Sequence, residues 1–394
     1  MISAEGTMAR EGFFMNKNEA VRHRILEDFR EGRITREWAA TLLGLSERAV
    51  SRLASKLRDG GVAGIKHGNY GRTPVNKLSD IDVQNAVELA KTIYVKFCLK
   101  HCHEKLREHH GASLCYDSFR KACVAAGLGK RHSRRPSRAR VLRERMANEG
   151  MLLQLDGSPH QWNGKDYWCL VAAIDDATST MSAAQFFPTE TTWACFTVLR
   201  TIIERYGVPE ALYVDGAGWA GGGAKRLFFS QFVRACEELG IRVIAAASAQ
   251  AKGRIERSFR TCQERLVPEL DLLGITGMTD ANRYLDQVFL PQYWNKKLTV
   301  VPRDKSSRYR PLAPHQNLDE ILCYKHWRRV RSNHCVSLDA KTFQLRPGDL
   351  GSLRGKEAVA HVDEAGEVVW YYGRQRLVSE LKMPPKRQWT QGAS

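Results

Sequence analysis

Apolar residues recur at helical spacing through the N-terminal third of the chain. Val21 and Ile25 stand four residues apart, as positions on one face of a helix do. Thr35 and Ser46 are suitable N-caps for two further helices, because their hydroxyls can accept a hydrogen bond from a free amide in the first turn. The pattern therefore predicts three helices between residues 16 and 76, after a leader over residues 1–15.

The faces of these predicted helices suggest a role. We expect the second helix to bury Trp38, Ala39 and Leu42. We expect the third to turn Arg48 and Arg52 outward. Three helices with a glycine turn and a basic outer face are typical of a helix-turn-helix DNA-binding domain, although a plain three-helix bundle remains the alternative. A second helical domain is predicted over residues 77–128.

The period of the pattern changes near residue 150. Two short apolar runs each end on an aspartate followed by glycine, at Asp156 and Asp215, as buried strands do when they bring a carboxylate to the edge of a sheet. We expect the first strand to end at Asp156. Residues 150–310 read as three strands, a helix, a strand, a helix, a strand and a helix. That order predicts an α/β RNase H-like catalytic core, with a mixed sheet covered by helices.

The last part of the chain alternates apolar and polar residues in short runs. Five runs between residues 327 and 372 are separated by turn residues such as Asp339 and Ala340. We expect a small β-barrel domain over residues 311–382, followed by a tail over residues 383–394. The chain is thus predicted to be multidomain, with all-α units first, an α/β core in the centre and a β-barrel at the C-terminal end.

The charge of the chain indicates what kind of partner it binds. Lys and Arg number 61 against 43 Asp and Glu, giving a formal net charge of +18 and a pI near 9.6. Such an excess predicts a polyanionic partner, most often nucleic acid. Residues 130–145 hold eight basic residues and one acid, Glu144. We expect this stretch, within a basic linker over residues 129–149, to contact DNA phosphates through Arg134, Arg135, Arg138 and Arg140.

Other classes of protein are disfavoured. The sequence has no apolar run long enough to cross a bilayer and no signal-peptide core, so we expect a cytoplasmic protein with no membrane partner and with reduced cysteines. A cluster of cysteines and histidines between Cys98 and His110 fits no standard zinc spacing. Buried cysteines and surface histidines are the better interpretation, although a zinc site stays open.

Three acids are candidates for catalysis. Asp156 and Asp215 follow predicted strands, and Glu256 lies one turn into a predicted helix. Taken singly, an Asp-Gly pair is usually a turn and a helical glutamate is usually a solvated residue. Taken together and in this order, beside Lys252 and Arg254, they favour a site for two Mg²⁺ ions, which prefer oxygen ligands and can support an in-line phosphoryl displacement.

Neighbouring residues complete this candidate site. Arg260 shares a helical face with Glu256, so we expect Lys252, Arg254 and Arg260 to contact DNA near the scissile phosphate. Asp175 and Asp176 are rival ligands. We interpret them as strand-end and turn residues, because they lack the pattern of a strand followed by glycine.

At these residues the chain resembles a known family. It is similar to the DDE transposases with a retroviral-integrase-type catalytic core, specifically the ISNCY-like group of bacterial insertion sequences, from about residue 18 to 382. The matching segments are residues 155–162 (LDGSPHQW), 173–178 (AIDDAT) and 251–257 (AKGRIER).

The resemblance implies an activity. It implies binding to the ends of an insertion sequence, hydrolysis of the 3′ ends and their joining to target DNA, at the nucleoid. Double-stranded DNA would be the partner, two Mg²⁺ ions the cofactor with Mn²⁺ as a substitute, and at least a dimer the working form. The chain departs from the family at the glycine-rich residues 216–223 and at Ala247 and Ala249.

Two other functions stay open. A former transposase without chemistry could persist as a DNA-binding repressor, although repression does not require three acids. A structure-directed nuclease of the same fold is a weaker alternative, because it would not need two appended DNA-reading domains.

Overall fold

The computed structural model describes residues 17–66, 79–129, 144–214, 231–245 and 253–382. The chain divides into two compact units between residues 79 and 80. The predicted limit after residue 76 falls in the stretch 67–78, outside the described residues. No helix within the described ranges is long and apolar enough to cross a membrane.

The first unit is built from three helices, α1 (Lys17–Arg30), α2 (Arg36–Leu43) and α3 (Glu47–Gly64). Both predicted caps form: the Thr35 hydroxyl accepts from the Trp38 amide at 3.2 Å, and the Ser46 hydroxyl accepts from the Ala49 amide at 3.3 Å. Gly44 ends α2 with φ of +63°, a conformation in which glycine carries no side-chain penalty. The tight turn between α2 and α3 is therefore confirmed.

The buried face of α2 differs from the prediction. Trp38 and Leu42 are 55% and 50% exposed, whereas Ala39 and Ala40 are buried and join the core around Leu26. The prediction is confirmed at Ala39 and wrong at Trp38 and Leu42, the two large side chains that it included. A helix of eight residues can bury only about two turns, and the two alanines let it lie close to its neighbours.

The second unit opens with three more helices, α4 (Asp80–Thr92), α5 (Leu99–His110) and α6 (Tyr116–Ala125). Cys115 occupies the N-cap of α6 without a side-chain capping bond. Of the cysteines in the cluster, Cys102 is buried as predicted, whereas Cys98 is exposed. The prediction of surface histidines is wrong at His101 and His103. Both imidazoles are buried because each finds a hydrogen-bond partner inside: a carboxylate for His101 and a backbone carbonyl for His103.

A five-stranded mixed sheet follows. Its strands are β1 (Leu153–His160), β2 (Trp168–Asp175), β3 (Met181–Phe187), β4 (Ala211–Val214) and β5 (Arg242–Ala245), in the order β3-β2-β1-β4-β5. β2 is antiparallel to both of its neighbours, β1 and β3, whereas β4 and β5 run parallel to β1.

Helices cover both faces of this sheet. They are α7 (Thr192–Tyr206), α8 (Gln231–Glu238) and α9 (Gly253–Leu272). Leu153 and Leu155 of β1 share a core with α7 and α8, whereas Leu170 and Ala172 of β2 share a second core with α9. Successive residues of a strand point to opposite faces, so the two cores lie on opposite sides of the sheet.

Further helical segments extend the core on the α9 side. They are α10 (Met278–Tyr284), a π-helical stretch (Leu285–Trp294) and α11 (Asn295–Lys297). Further along the chain, α12 (Leu318–Ile321) packs into the opposite core, with α7 and α8. Phe289 and Trp294 of the π-helical stretch are buried in the core that contains α9.

The C-terminal part is a nearly closed antiparallel sheet. Its strands are β6 (Tyr324–Arg329), β7 (Cys335–Leu338), β8 (Lys341–Arg346), β9 (Glu357–Val362), β10 (Val368–Tyr372) and β11 (Gln375–Lys382), in the order β6-β9-β10-β11-β8-β7. Trp370, Phe343 and Leu353 lie in its core. Asp339 and Ala340 form the predicted turn with φ of +48° and +61°, which a two-residue hairpin turn requires at both positions. The sequence predicted five of the six strands and missed β11.

Candidate active site

Strand β1 carries the first predicted acid, but it does not end there. It continues past Asp156 to His160 and pairs with β2 along its whole length, from Leu153 opposite Asp175 to His160 opposite Trp168. The predicted end at Asp156 is therefore wrong, since the glycine that follows is a strand residue and not a turn.

Packing explains why a glycine, Gly157, follows Asp156. A Cβ at Gly157 would lie 2.6 Å from the carboxyl carbon of Glu190 and 3.0 Å from Sγ of Cys169. A residue with a side chain would displace the Glu190 carboxyl from this position. Asp156 and Gly157 point to opposite faces of the sheet, so Glu190 lies across β1 from the Asp156 side chain.

Helix α9, which carries Glu256, lies alongside β1. The side-chain oxygen of Gln154 accepts from the Ile255 amide at 3.2 Å, and the side-chain amide of Gln263 donates to the Ser158 hydroxyl at 3.3 Å. Four strand residues rise about 13 Å and eight helical residues about 12 Å. Helix and strand therefore run in the same direction between these two contacts.

This arrangement places Asp156 and Glu256 on facing sides of β1 and α9. Asp156 is half-buried between Gln154 and Ser158 on the same face of the strand. Glu256 is exposed in the first turn of α9 and stands seven residues, or nearly two turns, before Gln263. Its side of the helix is thus the one that contacts β1.

The third predicted acid follows β4. This strand ends at Val214, and Asp215 is the next residue of the chain, outside the described residues. β4 pairs in parallel with β1, with Leu212 opposite Leu153 and Tyr213 opposite Gln154. Among the described residues, no group of three or more His, Cys, Asp and Glu side chains is placed to hold a metal ion. Of the three predicted acids, Asp156 and Glu256 lie within the described residues.

The predicted DNA contacts fall in three groups. Arg48 and Arg52 are exposed on α3, and Arg260 is exposed on α9, where its Nε lies 3.8 Å from Glu264. Arg254 instead donates from Nε to the buried Asp176 at 2.8 Å, a contact that the sequence did not predict. The remaining predicted contacts lie outside the described residues: Arg134, Arg135, Arg138, Arg140 and Lys252.

Two polar residues near the site are more deeply involved than the sequence predicted: Gln154 was not singled out, and Asp176 was interpreted as a turn residue. Gln154 and Asp176 are both fully buried and hydrogen-bonded to each other, from the Gln154 amide to Asp176 at 3.0 Å. A signal existed for each. Gln154 is a polar residue in an apolar run, two positions before Asp156 and therefore on the same face of the strand. Asp176 is the second of two acids after a continuous apolar strand.

A cavity of about 390 Å³ lies elsewhere, where α5, α9 and the π-helical stretch meet. His101, Lys105, Glu269 and Tyr284 are among the residues that line it. Glu269 follows Glu256 by thirteen residues, about 20 Å along α9. This cavity is therefore separate from the candidate active site.

Two known proteins of similar sequence are both transposases. The chain is 32% identical over 372 residues to the protein designated transposase y4bF of Sinorhizobium fredii, a match that covers 90% of this chain and 79% of the relative. It is 28% identical over 362 residues to the transposase for insertion sequence IS1202 of Streptococcus pneumoniae, covering 81% of this chain and 77% of the relative. No protein-family model matches the chain.

Solved structures give weaker likenesses. The catalytic core domain of HTLV-2 integrase in complex with magnesium has a TM-score of 0.29 and 18% identity, covering 36% of this chain and 88% of that one. A simian T-cell lymphotropic virus intasome structure, in complex with a PP2A regulatory subunit, has a TM-score of 0.33 and 14% identity, covering 76% of this chain and 100% of that one. Scores this low carry no conclusion about the fold. The sequence similarity, in contrast, shows the family: the chain belongs to the bacterial insertion-sequence transposases.

Proposed function

We propose that this chain is a DDE transposase that binds the ends of its own insertion sequence, hydrolyses their 3′ ends and joins them to target DNA. The observation that carries the proposal is the contact of α9 with β1, which sets Glu256 and Asp156 on facing sides of the two elements. The strands and helices from β1 to α9 also follow the order that the sequence predicted for an RNase H-like core.

The register of the sheet supports Asp215 as the third acid. Tyr213 pairs with Gln154, and Asp215 stands two residues after Tyr213 just as Asp156 stands two residues after Gln154. Neighbouring strands lie about 4.8 Å apart. A continuation of this register would bring the two carboxylates side by side at the edge of the sheet that faces the start of α9.

The donor set suits hard divalent cations. Asp156, Asp215 and Glu256 offer only carboxylate oxygens, which Mg²⁺ prefers, and these three residues would hold two such ions. Two such ions, when bound, stabilise the attacking and leaving oxygens of an in-line phosphoryl displacement. Mn²⁺ accepts similar ligands and is expected to substitute.

The protein's own residues would hold the DNA strand in line. Arg260 lies one turn after Glu256 on α9 and is exposed, so its guanidinium is available to a phosphate beside the acids. Lys252, just before the described start of α9, would act in the same way. Because opposite charges flank the acids, the scissile phosphate would be held near them although the acids themselves repel it.

Recognition of the element ends is proposed for the first unit. Arg48 and Arg52 are exposed in the first two turns of α3, behind a tight turn at Gly44. In a helix-turn-helix the N-terminal residues of the second helix contact base edges in the major groove. We place α3 in that role. At least two protomers would be needed to hold both ends of an element.

The test is Mg²⁺-dependent nicking of a labelled element end. The wild type should nick the 3′ strand, whereas Asp156→Asn, Asp215→Asn and Glu256→Gln should each reduce nicking by at least about a thousandfold, because losing one metal ligand removes several kcal/mol of transition-state stabilisation. End binding should persist, since removal of an acid lowers repulsion toward phosphate.

Glu264→Gln is the matched control. Glu264 is exposed on the same helix two turns further on, so this variant should nick at the wild-type rate. Equal nicking by wild type and Glu256→Gln would remove Glu256 from the site. A wild type that binds its own ends but stays inert with both Mg²⁺ and Mn²⁺ would instead support the repressor.

A further inference from the structure

Asp176 is a carboxylate with no exposed surface, in the turn that follows β2. Its Oδ2 accepts from the Met146 amide at 3.0 Å. Its Oδ1 accepts from the Gln154 side-chain amide at 3.0 Å and from Nε of Arg254 at 2.8 Å. A buried carboxylate is costly unless it is paired and hydrogen-bonded, so these contacts offset the cost of burying Asp176.

Two of the three contacts lead to the start of α9. Arg254 is the second residue of that helix. Gln154 connects Asp176 to Ile255, the third residue of the helix. Its side-chain oxygen accepts from the Ile255 amide at 3.2 Å, while its side-chain amide donates to Asp176. Amides in the first turn of a helix have no partner within the helix, so Gln154 satisfies a donor that would otherwise lack one. Asp176 is therefore connected to the two residues that immediately precede Glu256.

We propose that Asp176 is a positioning residue for Glu256: through Arg254 and Gln154 it fixes the first turn of α9 against β1, so that Glu256 faces Asp156. The proposal rests on the proposed function, because it gives Glu256 a role in holding metal. It assigns Asp176 more than the turn role that the sequence predicted. Carboxylate ligands of Mg²⁺ must meet near-ideal octahedral geometry, so a small displacement of the first turn would matter.

The charge of Asp176 is needed as well as its shape. Arg145 lies in the same region, where its Nη1 donates to the Asp176 carbonyl at 3.1 Å and to the Ser179 hydroxyl at 2.8 Å. Burial lowers the pKa of Arg145, and the nearby positive charge of Arg254 lowers it further. Without the negative charge of Asp176, two guanidinium groups would face each other uncompensated, which favours displacement of Arg254.

Asp175 provides a matched control in the adjacent position. Its side chain is equally buried, at 1% exposed. Its carboxylate accepts from the Gly150 amide at 2.8 Å and from the Thr178 amide and hydroxyl at 2.8 and 3.0 Å. These partners lie before β1 and within the turn, not on α9. Asp175→Asn should therefore lower stability about as much as Asp176→Asn without moving the catalytic helix.

The experiment compares Asp176→Asn and Asp175→Asn in the full-length protein. Hydrogen exchange of the peptide over residues 253–258 reports on the first turn of α9, and calorimetric titration with Mn²⁺ reports on the site without requiring turnover. For Asp176→Asn we expect exchange at least tenfold faster and Mn²⁺ affinity about tenfold weaker. For Asp175→Asn we expect a lowered melting temperature with neither change.

A second variant tests the same link from the other side. Arg254→Gln breaks the pair at a partly exposed residue and protects the test against poor folding of Asp176→Asn. The double variant should be no worse than either single variant, because residues that act through one contact are not additive.

Two results would count against the proposal. Equal exchange and equal Mn²⁺ affinity in Asp176→Asn and Asp175→Asn would reduce Asp176 to a turn residue. Unchanged exchange at residues 253–258 in both Asp176→Asn and Arg254→Gln would do the same. Failure of the proposed function has a different signature: wild type would neither bind Mn²⁺ nor nick its ends, whatever the exchange of α9.

Discussion

Glu269, near the C-terminal end of α9, is a buried carboxylate held by three partners. His101 Nε2 lies 2.7 Å from it, Lys105 Nζ lies 3.0 Å from it, and the Tyr284 hydroxyl donates to it. Burial alone would raise the pKa of Glu269, but the hydrogen bonds from His101 and Tyr284 and the charge of Lys105 lower it to about 2. Burial lowers the pKa of His101. A neutral His101 that donates from Nε2 leaves Nδ1 as a bare acceptor, which finds no hydrogen-bond partner among the described residues.

This carboxylate predicts acid sensitivity. The pKa of Glu269 is lower in the folded protein than its ordinary value of 4.5, so its stabilising effect is present above pH 4.5 and is lost as the pH falls toward 2. The effect is on the order of 3 kcal/mol, at about 1.4 kcal/mol per pKa unit. Between pH 5 and pH 3 the free energy of unfolding should fall more steeply for wild type than for Glu269→Gln. Glu264→Gln, an exposed change on the same helix, should follow wild type. Parallel curves for wild type and Glu269→Gln in denaturant titrations would contradict the assignment.

Helix α9 connects the candidate site to the helices that precede the sheet. Its first turn carries Glu256 and is hydrogen-bonded to β1 through Gln154. About three turns further on, Arg265 donates to Glu104 of α5 at 2.6 Å. Ile255 and Leu266 bury its apolar face. An element held at both ends can keep a carboxylate in place more accurately than a loop can. Glu256 is thus on a helix whose orientation depends on α5 as well as on the sheet.

The sequence was most informative where a residue type has one structural use. The caps at Thr35 and Ser46, the glycine at Gly44 and the apolar run of β2 each predicted their elements closely. It was least informative where tertiary contacts determine how far an element extends. The continuation of β1 through Gly157 depends on β2 and on the space that Glu190 takes.

Of the candidate site, the residue types and their order could be predicted from sequence. The link between Asp176 and Arg254 could not, because it joins residues 78 apart and depends on how the turn after β2 meets α9. The exposed Trp38 was likewise missed, since the size of a side chain does not say which face of a short helix is buried.

Helix α3 is expected to select the element end. Arg48→Ala combined with Arg52→Ala should reduce the preference for end DNA over random DNA by about ten- to a hundredfold, because base contacts contribute about 1–3 kcal/mol of discrimination. Arg33→Gln is the control: this exposed cation already pairs with Asp28 at 2.6 Å, so its loss should leave the preference unchanged. Competition binding at fixed salt measures both. A double variant with undiminished preference would remove α3 from recognition.

At the scale of the whole molecule, the excess of positive charge is unevenly distributed. The net charge is +18, and residues 130–145 alone hold eight basic residues against one acid. Many other cations of the described residues face a carboxylate, as Lys96 faces Asp271 at 2.8 Å and Arg303 faces Glu144 at 2.8 Å. A cation that is already paired adds less to DNA binding than one that must find its counter-charge on a phosphate. The basic stretch is therefore expected to supply much of the affinity that does not depend on DNA sequence.

The salt dependence of DNA binding tests this expectation. Each neutralised phosphate adds about 0.9 to the slope of log affinity against log salt. Replacing four arginines of the basic stretch by alanine should therefore flatten the slope by up to about 4, with the preference for end DNA unchanged. The four are Arg134, Arg135, Arg138 and Arg140. The control removes the same net charge from four cations that each pair with a carboxylate: Arg33, Lys96, Arg283 and Arg303. It should change the slope much less. If both quadruple variants flatten the slope equally, net charge and not the basic stretch sets non-specific affinity, and if neither does, the stretch only connects the domains.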